Sequence, residues 1–148
     1  TGLDQGGVSR KAEVIRRALA VNRPDPDCAW DVLHKVGGFE IAGLVGVILG
    51  CAARRVPCVI DGFISTAAAL AATRACPAAK QYMLAGHRSA EPGHDRMLDL
   101  LELRPILDLG MRLGEGTGAA LAFTILDAAT RTLDEMATFA DAGVDDKL

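Results

Sequence analysis

Three short stretches hold the residue types from which a ligand site could be assembled: Asp61-Gly62, His87-Arg88-Ser89 and Gly114-Glu115-Gly116-Thr117-Gly118. Closely spaced glycines let the backbone approach a ligand, and a helix opening just after them offers unpaired N–H groups to an anion. The third stretch therefore suits phosphate or a similar group, with Gly114 and Gly116 lining it. It is not a Walker loop, because no Gly-Lys-Ser/Thr ending follows, and its glycine spacing differs from the dinucleotide fingerprint. The same residues can also make a plain tight turn, with Thr117 capping the helix and Glu115 favouring its dipole. Ser89 can donate to a phosphate or sugar oxygen, or merely satisfy nearby backbone. Lys11, beyond a loop with Gly2, Gly6 and Gly7, is either a phosphate contact or a solvated lysine. Asp61 can serve a ligand or cap the next turn. His87, Glu91 and His94 do not make a metal site by spacing, since no helical His-x-x-x-His pair exists and Pro92-Gly93 interrupts the segment.

The elements that must position these residues follow from periodicity. Ser9 to Asn22 reads as an amphipathic helix, with Ala12, Ile15, Ala18 and Leu19 on one face. A short helix should start at Asp25-Pro26, with an acidic cap and proline in its first turn. Phe39 to Arg54 is apolar on nearly every face, which predicts a helix buried on most sides. Val56 to Ile60 reads as a strand covered on both faces. An alanine-rich helix capped by Ser65 or Thr66 then runs to Cys76, and a second strand spans Tyr82 to Ala85. A helix from Pro92 to about Leu103 and a weaker strand or extended element from Ile106 to Leu109 precede the glycine turn. Thr117 opens a long helix to about Ala140. The alternation predicts an α/β, Rossmann-like three-layer domain with a parallel sheet. Ligands in such sheets bind beyond the carboxyl ends of the strands, where all three stretches should converge.

Composition removes other classes. A net charge of -3 with scattered basic residues leaves no footprint for nucleic acid. The longest uncharged stretch, Ile41 to Ala53, is too short to cross a bilayer of about 30 Å. Cys28, Cys51, Cys58 and Cys76 show no C-x-x-C spacing and have apolar neighbours, so buried free thiols in a reduced, cytoplasmic setting are expected.

Taken together, several ordered segments resemble the nicotinate-nucleotide:dimethylbenzimidazole phosphoribosyltransferases over nearly the whole chain. They are Thr1-Gly2-Leu3-Asp4 with Lys11 downstream, Lys35 to Glu40, Val59 to Ser65, His87 to His94, Arg112 to Ala120, and Asp134 to Ala140. The resemblance implies transfer of phosphoribose from nicotinate mononucleotide to 5,6-dimethylbenzimidazole, giving α-ribazole 5′-phosphate and nicotinate with inversion at the anomeric carbon. It implies Glu115 as general base, and Gly2, Lys11, Asp61, Gly62, Ser89, Gly114 and Gly116 as substrate- and phosphate-binding positions. It further implies a homodimer acting on small molecules, without metal or cofactor.

Family members are over twice as long, so the chain is expected to be the C-terminal part of one catalytic domain, with 117–148 forming a long helix and tail. The sheet should then be incomplete, and Lys11 and Ser89 should lie near each other and near the Glu115 turn. A non-catalytic nucleotide-binding or assembly fragment is the alternative. A dehydrogenase or kinase half would need a motif that is missing here.

Overall fold

The computed structural model describes residues 4–144, so Gly2 lies outside the described residues. Asp4 caps the first helix, α1 (Gln5–Asn22), by accepting the Gly7 N–H at 2.7 Å. That cap explains why α1 begins at Gln5, four residues before the expected start at Ser9. The second helix, α2, spans Ala29–Val36 and starts later than expected. The Asp25 carboxylate accepts the Asp27 N–H instead, closing a turn that competes with helix at Asp25-Pro26.

The third helix, α3 (Phe39–Ala53), leads to β1 (Cys58–Ile60). Next come α4 (Phe63–Ala75), a 3-10 segment at Pro77–Tyr82, and β2 (Met83–His87). Then α5 (His94–Leu101) and β3 (Pro105–Leu107) precede α6 (Thr117–Glu135). The three strands are parallel in the order β1-β2-β3, with Cys58 beside Met83 and His87 beside Leu107. The weak Ile106 element is therefore a true strand.

Alternation along the strands sorts the two faces of the sheet. Ile60 and Met83 join Val45 and Ile48 of α3 and the alanines Ala68, Ala69 and Ala72 of α4 in one buried cluster. Val59 and Gly86 face the other way, toward α6. A Cβ on Gly86 would come 3.1 Å from the Ala119 Cα, so glycine there lets α6 sit directly on β2. This is an α/β layer with helices on both faces of a small parallel sheet.

Four expectations need correction. Only Val45 and Ile48 of α3 are buried, and Val47 is exposed, because within the described residues α3 packs chiefly against α4 and the 3-10 segment. Ser65 and Thr66 do not precede α4; both hydroxyls bond back to the Gly62 carbonyl, which begins the helix. The last helix stops at Glu135 rather than near Ala140, since Thr138 and Asp141 close a local side-chain box that competes with helix. The four thiols are free, but three are only partly buried and Cys76 is exposed.

Candidate active site

Asp61 leaves the carboxyl end of β1 and reaches the glycine turn 55 residues away. Its Oδ2 accepts the Gly116 N–H at 3.2 Å, and its Oδ1 accepts the Ala119 N–H at 2.9 Å. Helix α6 has no local side-chain cap, so Asp61 supplies one across the sheet. Carboxylate at a helix N-terminus is also favoured by the dipole. Both oxygens thus serve the loop, which makes Asp61 a tether for it.

The turn held this way is unusual in conformation. Gly114, Glu115 and Gly116 have φ of 80, 58 and 79°. A left-handed conformation is free for glycine but costs a residue such as glutamate roughly 1–2 kcal/mol. Glu115 is exposed beside the carboxyl edge of the sheet. Such strain persists only where the surroundings impose it, and here the Asp61 bonds to Gly116 and Ala119 do so, with the flanking glycines permitting the turn.

The second loop follows β2. His87 is 2% exposed, and its ring lies so close to Gly118 that any Cβ there would overlap it. Its Nδ1 is 3.6 Å from Asp61 Oδ1 and has no hydrogen-bond partner among the described residues. The Arg88 and Ala90 N–H groups donate to the Leu107 and Met111 carbonyls, which carry the pairing of β2 and β3 on into the loops. Ser89 is buried, its Oγ accepting the Glu91 N–H at 3.2 Å. A Cβ on Gly62 would fall 3.9 Å from that of Ser89, so the loops after β1 and β2 touch.

Arg88 was not singled out by sequence as a structural residue. Its guanidinium grips Asp95 through two 2.6 Å bonds and reaches Asp108 at 3.2 Å, tying α5 to the end of β3. These bonds, Asp95 first, raise Arg88 and hold the Asp95 carboxyl below its ordinary range. All three side chains are about half exposed, so the tie is geometric more than energetic. They line a cleft of about 290 Å³ together with Ser89, Glu91 and Gly93.

The structure therefore brings Asp61, Gly62, Ser89 and the 114–118 turn to one edge. Lys11 is exposed on α1, in a depression it shares with Asp4, Gly7, Arg10 and Val14. No group of three or more metal-binding side chains occurs among the described residues. His94, one of the three residues weighed as ligands, spends both ring nitrogens inside the protein.

Comparison with known proteins then decides the family. The phosphoribosyltransferase family model matches residues 1–144. The chain belongs to the nicotinate-nucleotide–dimethylbenzimidazole phosphoribosyltransferase family. Proteins of that name from Chloroflexus aggregans and Chloroflexus aurantiacus are each 62% identical, over 99% and 100% of this chain. A solved phosphoribosyltransferase structure from Thermus thermophilus superimposes with a TM-score of 0.88 at 44% identity, covering 97% of this chain and 43% of that one. A second structure from the same organism, described as CobT, gives 0.91 at 44% identity, covering 99% and 44%. The chain spans 42% of the length of the Chloroflexus relatives. Within the family frame, the pinned turn around Glu115 lies in the segment matched by all of these proteins. No helix among the described residues is long and apolar enough to cross a membrane.

Proposed function

We propose that this chain carries the base-bearing side of a phosphoribosyl transfer in cobalamin lower-ligand synthesis. The donor is nicotinate mononucleotide and the acceptor 5,6-dimethylbenzimidazole. The observation that carries this reading is Glu115, held in a left-handed turn between two positive-φ glycines by the Asp61 carboxylate just beyond β1.

The chemistry suits a carboxylate base. One benzimidazole nitrogen attacks the anomeric carbon as the bond to nicotinate breaks, and that bond's electron pair returns to the pyridine nitrogen. The leaving group loses a positive charge and needs little acid. The other benzimidazole nitrogen turns acidic only as attack proceeds, so Glu115 takes its proton during bond formation. Ser89, Gly62, Gly114 and Gly116 hold the phosphate and ribose, and that remote binding energy aligns the reacting atoms. Asp61 contributes by fixing the loop. Lys11 and Gly2 belong to the phosphate-binding set on the strength of the resemblance, as do the homodimer and the cytoplasmic setting. No step in this scheme calls for a metal or cofactor.

The test is a full-length chimera in which this chain replaces the matching part of the Chloroflexus aurantiacus relative. Glu115→Gln should cut turnover by about a hundred- to ten-thousand-fold, with nicotinate mononucleotide affinity nearly unchanged. Loss of nucleotide binding with little change in the rate of bound substrate would make Glu115 a positioning group and place the base elsewhere.

A further inference from the structure

His94 is 0% exposed, at the start of α5, and meets the Ser89 loop directly and the Gly62 loop through Thr66 of α4. Its Nδ1 lies 2.9 Å from the Ser89 backbone nitrogen, and its Nε2 lies 2.9 Å from Thr66 Oγ1. The hydroxyl of Thr66 lies 2.7 Å from the Gly62 carbonyl.

These three contacts leave one arrangement of protons. A backbone N–H can only donate, so Nδ1 of His94 carries a lone pair. A carbonyl can only accept, so the Thr66 proton points at Gly62 and its oxygen receives a proton from Nε2. Both ends of the chain give the same answer. We infer that His94 is a positioning residue for the phosphate edge: a neutral imidazole, protonated on Nε2, that locks the Ser89 amide and the Gly62 carbonyl into one frame. The role of that frame in phosphate binding rests on the reading proposed above, whereas the frame itself does not.

The frame is switchable by acid. A proton on Nδ1 would set a donor against the Ser89 N–H, also a donor, and that contact would open. The charged groups acting on the ring are Asp95 on α5, His87 at the end of β2, Arg88 in the loop and Asp61 beyond β1. Helix α4 contributes Thr66, and its one charged residue, Arg74, sits in the last turn. Burial chiefly, then the like charge of His87, holds His94 below the ordinary histidine range, so the neutral form is kept at neutral pH.

Imidazole ¹⁵N spectra of the chain should show His94 protonated on Nε2 alone at neutral pH. The Ser89 amide should be slow to exchange, and its shift should follow the His94 titration on acidification. A proton on Nδ1 at neutral pH, or a Ser89 amide indifferent to the titration, would overturn the inference. Two substitutions divide the ring's functions. His94→Asn keeps an acceptor near the Nδ1 position, so it should retain the slow Ser89 amide and lose its acid sensitivity. His94→Gln places its amide nearer Nε2 and should free the amide at every pH. If His94→Gln fails to fold, Thr66→Val is the milder cut, and it should speed Ser89 exchange without abolishing the pH response. An amide unmoved by either cut defeats the frame.

Inorganic phosphate then separates the two claims. Its affinity, read at the Ser89 amide, should fall about tenfold in His94→Gln, as for one lost hydrogen bond, and change less than about threefold in His94→Asn. Phosphate that leaves Ser89 unmoved in the unaltered chain would overturn the phosphate reading while the His94 frame stands.

Discussion

At the carboxyl edge of the sheet a Cβ on Gly86 would sit 3.1 Å from Ala119 Cα, and one on Gly118 would overlap the His87 ring. Along α3, by contrast, Gly43, Gly46 and Gly50 have nothing within 4 Å of where a Cβ would stand. The same residue type thus answers two different demands. At the edge, glycine is required by what already packs there: α6 on β2, and His87 under the first turn of α6. On α3 nothing among the described residues requires it. Gly86 and Gly118 at the edge are thus packed by described residues, while the outer face of α3, with Val47 exposed, is apolar without a described partner.

The largest expected effect breaks the edge. Gly118→Ala forces the buried His87 ring aside, and His87 is confined between Gly62 and α6. Overpacking of this kind costs about 3 kcal/mol at the upper end of its usual range, measured as a drop in unfolding free energy by denaturant titration. A loss below about 0.5 kcal/mol would mean that the His87 ring can swing out freely, and the claim of a tightly determined edge would fail. The opposite sign is expected on α3. Gly46→Ala lies mid-helix in open space and should stabilise the chain by about 0.5–1 kcal/mol through backbone entropy alone. A destabilising Gly46→Ala would show that something covers this face in solution.

That contrast also marks what a single sequence reveals. Local signals carried far: the alternation of helix and strand and the positions of Asp61, Ser89 and Glu115 beyond strand ends are legible, whereas the loop expected around Gly6 and Gly7 is helix, because the Asp4 cap starts α1 at Gln5. Convergence of those three follows from parallel topology, so it was legible too. What Asp61 does there was not, because its partners Gly116 and Ala119 are over fifty residues away and nothing local distinguishes a ligand carboxylate from a tether. His94 was hidden for a similar reason. Its sequence neighbours Pro92 and Gly93 argue against a metal pair but say nothing of Thr66, 28 residues back. The burial of α3 was overread, since an apolar pattern records the need for a cover and not where the cover comes from. Helix α6 was overextended because the Thr138–Asp141 box is a side-chain competitor that apolar periodicity does not register.

The smallest expected effect is the sharpest test of the edge, and it concerns Glu115 alone. If the Asp61 tether imposes its left-handed φ of 58°, the glutamate is tolerated there at a cost. Glu115→Gly removes the Cβ and with it the roughly 1–2 kcal/mol of conformational strain. The unfolded chain gains freedom at the same time, which returns part of that benefit. The side chain is exposed, so little packing is lost. The net expectation is a gain of about 0.5 kcal/mol in stability, read by denaturant titration of the chain. In the chimera the same substitution should remove turnover as fully as Glu115→Gln does, because no base remains. Stability and activity would then move in opposite directions at one residue, as expected where strain is kept for a function. A loss of about 1 kcal/mol or more in Glu115→Gly would mean that the side chain anchors the turn, and Glu115 would become a structural residue of a plain tight loop.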